Sequence, residues 1–565
     1  MKVLIKSTIL ICSFLFISNF KAQAQKKPKK EIKEETEVNE NKPIQKLEID
    51  FENAIPSYEL AMLGSKGVIL MTHEKRVFNL TRYNADLKKT YSVDLDIEKG
   101  QNYLTYIHRD KKIYLLFADA FGTSESYVTS QVFKKFSLVE FDLESKKQKA
   151  VSGKFEKPFS LTQMEEVNGK VYLMGSTTIS SGSKFGRSCY SIALCYIPTL
   201  FGSLNYPGWA NMASIDFSKQ EAICELIDSY GKKPHIKMLA ANINSEKNVA
   251  NVLVKDSKSK KETHLYLQSI ILGNQNKPSD PIEMSVGDNF EAFTAKVNYT
   301  GENDRLVVGC FGDKVRKTIT GGDRFAYTKG IYISKLDKNK VLWNKNILYT
   351  QIFNSENSKS KDISKNEKNS RSQIQVLFHN VIESEEQYIF IGETYYPTFH
   401  TETRTSYSNG KWTTYTVTIF DGFVYDKCIA FATDKKGTFQ WSSIFYLPYY
   451  RTYNPTKERV NVNTLGDKIA VSTFSGSNLV TYFLDEEGFT EESTNTQIKT
   501  SKADDKIRSS HTNIDIWYDN YYIAYGDMTI KAKKKDENGK KKRQYIYFYK
   551  MQVGEEFKEE SEDEE

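Results

Sequence analysis

The stretch from Gly466 to Phe489, GDKIAVSTFSGSNLVTYFLDEEGF, decides the fold, because it reads as one β-hairpin with its own start and stop. The apolar run Ile469 to Phe474 forms one strand, the Gly- and Ser-rich segment Ser475 to Asn478 reverses the chain, and Leu479 to Leu484 forms the second. Asp485 to Gly488 then breaks the pattern. Outward from this hairpin lie RVNVNTLG before it and TNTQIKT after it, which makes a unit of four strands. Units of this kind recur eight times, with turns and loops of different length between them.

The second strand of these units is almost continuously apolar: IYLLFA, VYLMG, LVVGCF, YIFIG, IAVSTF and YYIAYG. A sheet with one wet face would alternate polar and apolar residues, so these strands are expected to be covered on both faces. Radially stacked four-stranded blades meet that requirement. The expected fold is therefore all-β, an eight-bladed β-propeller of four-stranded antiparallel blades spanning residues 46–553, with seven blades as the alternative count. The eighth unit has only three strands, and Leu47 to Phe51, LEIDF, is the isolated strand that would complete it and close the ring. Composition agrees: 12 prolines in 565 residues is well below the roughly 5% average, whereas 35 Tyr and 33 Phe favour strands.

In the sixth unit Ala432-Thr433-Asp434-Lys435-Lys436-Gly437, followed by Trp441, resembles the blade signature of quinoprotein-type propeller repeats, and Leu336-Asp337 with Trp343 echoes it in the fifth. The spacing from Asp to Trp is short and the threonine before glycine is absent. The resemblance implies that Trp343 and Trp441 pack between neighbouring blades; it carries no site and no cofactor.

At the N-terminus, Lys2 and Lys6 precede the apolar segment Ser7 to Phe20 and the small-residue site Ala22-Gln23-Ala24, the pattern of a secretory signal peptide over residues 1–24. The apolar run is shorter than the roughly 20 residues of a spanning helix. The mature chain is expected in the periplasm or outside the cell, without a transmembrane segment. Residues 25–45 read as a disordered leader and 554–565 as an acidic disordered tail. Cleavage of residues 1–24 removes Lys2, Lys6 and Lys21 and no acid, so the net charge falls from +7 to +4. The basic stretch Lys531 to Arg543 and the acidic tail read as solvated segments, and nucleic acid is not an expected partner. Five cysteines remain, of which Cys189 and Cys195 are close enough in sequence to pair.

Seven histidines are scattered singly, without HExxH or a Cys/His zinc spacing, so neither a metal nor any other cofactor is expected. Two candidate sites stand out in the sixth unit. Tyr395, Tyr396, His400, Arg404 and Trp412 make an aromatic, charged loop suited to a binding rim, since aromatic residues and arginine dominate contact energetics. Glu393 and Asp421 are a candidate pair of catalytic carboxylates, although such groups more often accept turn hydrogen bonds at strand ends. The apolar insertion Phe185 to Trp209 reads as a flap over one mouth of the ring or a docking patch, and the polar segment Asn354 to Arg371 as disordered. The expected function is a binding scaffold that recognises a protein or glycan of the cell envelope, with a glycan- or peptide-acting hydrolase as the alternative.

Overall fold

The computed structural model describes residues 45–552 except 52–54, 75–76, 120–131, 181–204, 227–235, 258–262, 274–275, 301–303, 314–326, 339, 354–373, 409, 453–457, 466–467, 476–477, 498–505, 520 and 532–541. The signal peptide, leader and acidic tail lie outside the described residues. So do most of the apolar insertion and of the basic stretch, the polar segment 354–371, and Cys189 and Cys195. All described residues belong to one compact unit, Glu40–Glu565.

The unit is all-β and its strands form several antiparallel sheets. In the first, Ser57–Met62, Val68–Glu74, Val77–Tyr83 and Lys89–Leu95 follow one another as a meander. The hairpin quoted above appears as Lys468–Ser475 paired with Asn478–Asp485, flanked by Asn461–Leu465 and Gly488–Gln497. The strand Gln45–Phe51 pairs antiparallel with Lys542–Gln552 from Gln45↔Lys550 to Phe51↔Gln544, so the two ends of the unit share a sheet with Tyr521–Lys531 and Lys506–Tyr518.

One grouping differs from expectation. The second and third units are not separate four-stranded sheets but a single seven-stranded sheet. Their shared strand, Gln148–Val167, is 20 residues long. Its first half pairs with Val132–Asp142 and its second half with Lys170–Ser180, and Phe159 and Ser160 pair on both sides. The register with Val132–Asp142 jumps from Phe133↔Phe159 to Lys135↔Lys154, so residues 155–158, with Pro158 among them, form a bulge between the halves without ending the strand.

Strand pleating explains the continuous apolar runs. In Lys112–Ala118, Ile113, Leu115 and Phe117 pack against the first sheet, whereas Tyr114, Leu116 and Ala118 pack against the following strands Lys170–Ser180 and Asn205–Asp216. In the sheet of Gln387–Ser408, Tyr388 and Phe390 face the sheet of Asp304–Asp313, while Ile389 and Ile391 face that of Lys468–Ser475. Successive side chains point to opposite faces, so a strand with a sheet on each side needs apolar residues at every position. The apolar clusters therefore run from group to group in chain order. One joins Phe474 and Leu479 to Tyr522 and Ala524 of the terminal sheet. Another joins Ile523, Ile546 and Phe548 of that sheet to Leu60, Val68 and Leu70 of the first.

Three tryptophans fasten neighbouring sheets. Trp343 Nε1 donates to Lys435 O at 3.2 Å, Trp441 Nε1 to Glu486 O at 2.8 Å, and Trp517 Nε1 to Gly67 O at 3.1 Å. In each case the indole of one sheet reaches a turn carbonyl of the next. Gly437 is required beneath the first of them: its φ is +81° and a Cβ there would stand 2.7 Å from the Trp343 ring. Between-sheet packing of Trp343 and Trp441 is thus seen.

Deleting residues 45–51 strips a full strand from the terminal sheet and exposes the backbone edge of Lys542–Gln552. The melting temperature measured by circular dichroism is expected to drop by several degrees. An unchanged transition would show that the pairing contributes nothing to stability.

Candidate functional site

The fifth sheet in chain order, which corresponds to the sixth sequence unit, contains the two longest strands of the described residues, Gln387–Ser408 and Lys411–Asp434. They pair along their whole length, from Gln387↔Asp434 to Ser408↔Lys411. The next strand, Phe439–Thr452, accompanies them only as far as Phe423↔Thr452. Beyond that point, among the described residues, the two strands pair only with each other and form an arm. Tyr395 to Trp412 is therefore not a loop, as expected from sequence, but one side of a β-ribbon and its tip. The signals for this are in the sequence: Asn409-Gly410 between β-branched, alternating flanks is a strong hairpin turn, and Gly410 has φ +77°.

The arm leaves the sheet at an irregularity. The register shifts between Thr398 and Phe399, so Asp421 has no cross-strand partner, and Gly422 takes φ +113°. Thr398 Oγ1 donates to Gly422 O at 2.8 Å across this bulge. A Cβ on Gly422 would lie 2.9 Å from Thr452 O, so the close approach of the third strand also requires glycine.

Pairing sorts the arm into two unlike faces. On one, an aromatic row climbs from the buried base: Tyr395 stacks on Tyr425 at 5.5 Å, Phe423 meets Tyr395 at 5.7 Å and Phe420 at 5.0 Å, and Phe420 meets Phe399 at 5.6 Å. Paired threonines follow, Thr403 opposite Thr416 and Thr405 opposite Thr414, the latter with hydroxyls 3.4 Å apart. At the tip, Tyr407 packs on Trp412 at 4.9 Å between centroids. The other face carries the charges. His400 Nδ1 lies 2.5 Å from Asp421 Oδ1 and its Nε2 3.3 Å from Glu402, and Arg404 donates to Glu402 at 3.0 and 3.3 Å. The hydrogen bond to Asp421, helped by Glu402, raises the His400 imidazolium above the ordinary imidazole range. Arg404 first, and then His400, hold the Glu402 carboxyl below the usual range.

The five expected binding residues thus occupy different places. Trp412 is 72% exposed at the tip, and His400 and Arg404 are exposed on the charged face. Tyr396 is half-buried at the base, and burial, with Asp426 and Tyr449 nearby, raises its phenol. Tyr395 is buried and donates to Gln375 Oε1 at 2.8 Å, which makes it part of the arm's root. Tyr407 (60% exposed), Tyr415 (45%) and Tyr449 (69%) are further exposed rings not singled out from sequence.

The two candidate carboxylates are not brought together. Glu393 pairs with Cys428, and Asp421 lies seven residues from Cys428 along the same strand, which separates the two by on the order of 20 Å. A hydrolytic carboxylate pair works at roughly 5 to 10 Å. Glu393 is fully buried. Its Oε1 accepts from the backbone of Arg459 at 2.8 Å and Val460 at 3.0 Å, and from His379 Nε2 at 2.9 Å. It therefore ties the segment leading into Asn461–Leu465 onto the sheet of Gln387–Ser408. Asp421 is spent on His400. Both nitrogens of His400 face carboxylates, and among the described residues no group of three or more His, Cys, Asp or Glu is arranged to hold a metal ion.

No family model matches the chain, and no curated protein matches it. Solved structures similar to it include the polysaccharide lyase Uly1, at 10% identity and TM-score 0.33, covering 79% of this chain and 89% of that one. An ulvan lyase described as a new polysaccharide lyase family gives 7% identity and TM-score 0.36, covering 78% and 90%. Oligopeptidase B from Leishmania major gives 7% and 0.35, covering 86% and 54%. The chain spans about half the length of that peptidase. Likeness at this level assigns neither a family nor an activity. Among the described residues no helix is long and apolar enough to cross a membrane.

Two measurements probe this geometry. Glu393→Ala leaves two backbone donors and His379 without their acceptor, and is expected to cost about 3 kcal/mol or more in chemical denaturation. A loss below about 1 kcal/mol would remove the structural role. For His400, the raised folded-state value means that its ion pair is intact below the unfolded histidine value and is lost as pH rises through the folded one. An NMR titration is expected to place His400 above a free imidazole, and Asp421→Asn to bring it back down.

Proposed function

We propose that the protein is an exported binding scaffold, an eight-bladed β-propeller closed by the strand Gln45–Phe51, that presents the arm of its sixth blade to a protein or glycan of the cell envelope. Export is inferred from the charged and apolar leader. The ring is supported by the order of the apolar clusters, which pass from each strand group to the next and from the terminal sheet back to the first. The seven-stranded sheet then counts as two blades sharing one long strand.

The observation that carries the binding reading is the arm's exposed tip. Trp412, Tyr407 and Tyr415 are exposed on a ribbon whose two edges carry no further strand beyond Phe423 among the described residues. A two-stranded ribbon is marginal by itself, and large exposed rings lose hydrophobic stabilisation. Such a device is favoured when the rings are buried by a partner, where aromatic side chains supply most of the contact energy. A hydrolase built on Glu393 and Asp421 is the weaker reading because the two lie far apart along one strand, and the fold by itself licenses no activity.

The test replaces residues 400–419 by an Asn-Gly turn. The variant is expected to keep the melting temperature of the parent within a few degrees, since the buried root from Tyr395 to Phe423 is retained, and to lose capture of its partner from envelope extracts of the source organism. Undiminished capture by a folded variant would place recognition elsewhere.

A further inference from the structure

We infer that the ligand of the arm is a neutral, extended polysaccharide, lying along the threonine and aromatic face; this rests on the reading of the arm as a binding device. The ribbon confines its charges to one face, where Ile419, Val417 and Tyr415 stand opposite His400, Glu402 and Arg404. His400, Glu402 and Arg404 share one face. The rungs Thr403–Thr416 and Thr405–Thr414 and the tip pair Tyr407–Trp412 share the other, where every partner is a hydroxyl or a ring.

Each element of that face suits a sugar chain. Pyranose rings present an apolar C–H surface to an aromatic face, and Tyr407 and Trp412 offer such surfaces with 60% and 72% exposure. Threonine hydroxyls both donate and accept, so they can match sugar hydroxyls without a fixed donor pattern. Rungs two residues apart repeat at about 7 Å, and the stretch from Phe399 to Tyr407 spans roughly 27 Å, long enough for several sugar units in line. Uronate or sulfated chains would bring charges onto a face that has none to pair them, a costly burial. A protein adding a strand to the arm would use its backbone edges and would not need the rungs.

Affinity electrophoresis of the full chain in gels containing hydroxyethyl cellulose, glucomannan, xyloglucan or dextran, with alginate as the charged comparison, tests the assignment. At least one neutral polymer is expected to retard the protein and alginate is not. Tyr407→Ala with Trp412→Ala is expected to weaken retardation at least about tenfold. The triple change Thr403→Val, Thr405→Val, Thr414→Val, which keeps strand propensity, is expected to weaken it several-fold, and Glu402→Gln with Arg404→Gln to leave it unchanged. Retardation by alginate alone, wild-type binding by the valine variant, or loss of binding on the charged-face change would each overturn the inference. Envelope capture through the arm without retardation by any neutral polymer would overturn it and leave the binding reading standing. Equal retardation of the armless variant would overturn both.

Discussion

The structure depends on strands that must be apolar on both faces. Because side chains alternate along a strand, Ile113, Leu115 and Phe117 are buried on one side of their sheet and Tyr114, Leu116 and Ala118 on the other. Neither set can be satisfied unless further strands cover it, those of the first sheet on one side and the later strands of the same long sheet on the other. A single sheet of this composition would leave large apolar surface in water, so each strand group requires two neighbours. The first and terminal groups meet this requirement through each other, with Leu60, Val68 and Leu70 against Ile523, Ile546 and Phe548. Burial at that junction has the same physical origin as burial between groups adjacent in sequence.

Polar groups are then recruited to fix how the sheets sit. Indoles of Trp343, Trp441 and Trp517 each carry a large ring into an inter-sheet gap and end on a turn carbonyl, combining area burial with one directional bond. Glu393 does the same with charge: a buried carboxylate accepting two backbone N–H groups and a histidine holds a connecting segment in place. A buried carboxylate is tolerated only with such partners. Its burial and its bonding both argue for architecture over chemistry.

The arm obeys the opposite rule. Past the bulge at Thr398 and Gly422 no third strand among the described residues pairs with it, and its sequence changes from Ile, Phe and Cys to Thr, charged residues and exposed rings. Root and tip are joined by one aromatic row, Tyr425, Tyr395, Phe423, Phe420 and Phe399, whose burial decreases outward. The buried part anchors a ribbon that would otherwise be marginal.

What the sequence alone determined was the class of structure: all-β, repeated four-strand units, doubly buried second strands, and an N-terminal strand paired with the last. Those features are local or periodic, set by turn residues, β-branched runs and the two-residue pleat, and they can be read without knowing what touches what. The aromatic and charged residues of the sixth unit read as a loop, whereas the structure pairs them as a ribbon, with Asn409-Gly410 the sequence signal for its turn. The roles of Glu393, Asp421 and Tyr395 were not legible at all. Whether a carboxylate is a catalyst or a staple depends on the backbone donors of Arg459 and Val460, more than sixty residues away in sequence. Likewise, whether a tyrosine is root or tip depends on where the third strand stops. Such contacts join residues distant along the chain, so only the tertiary structure decides them.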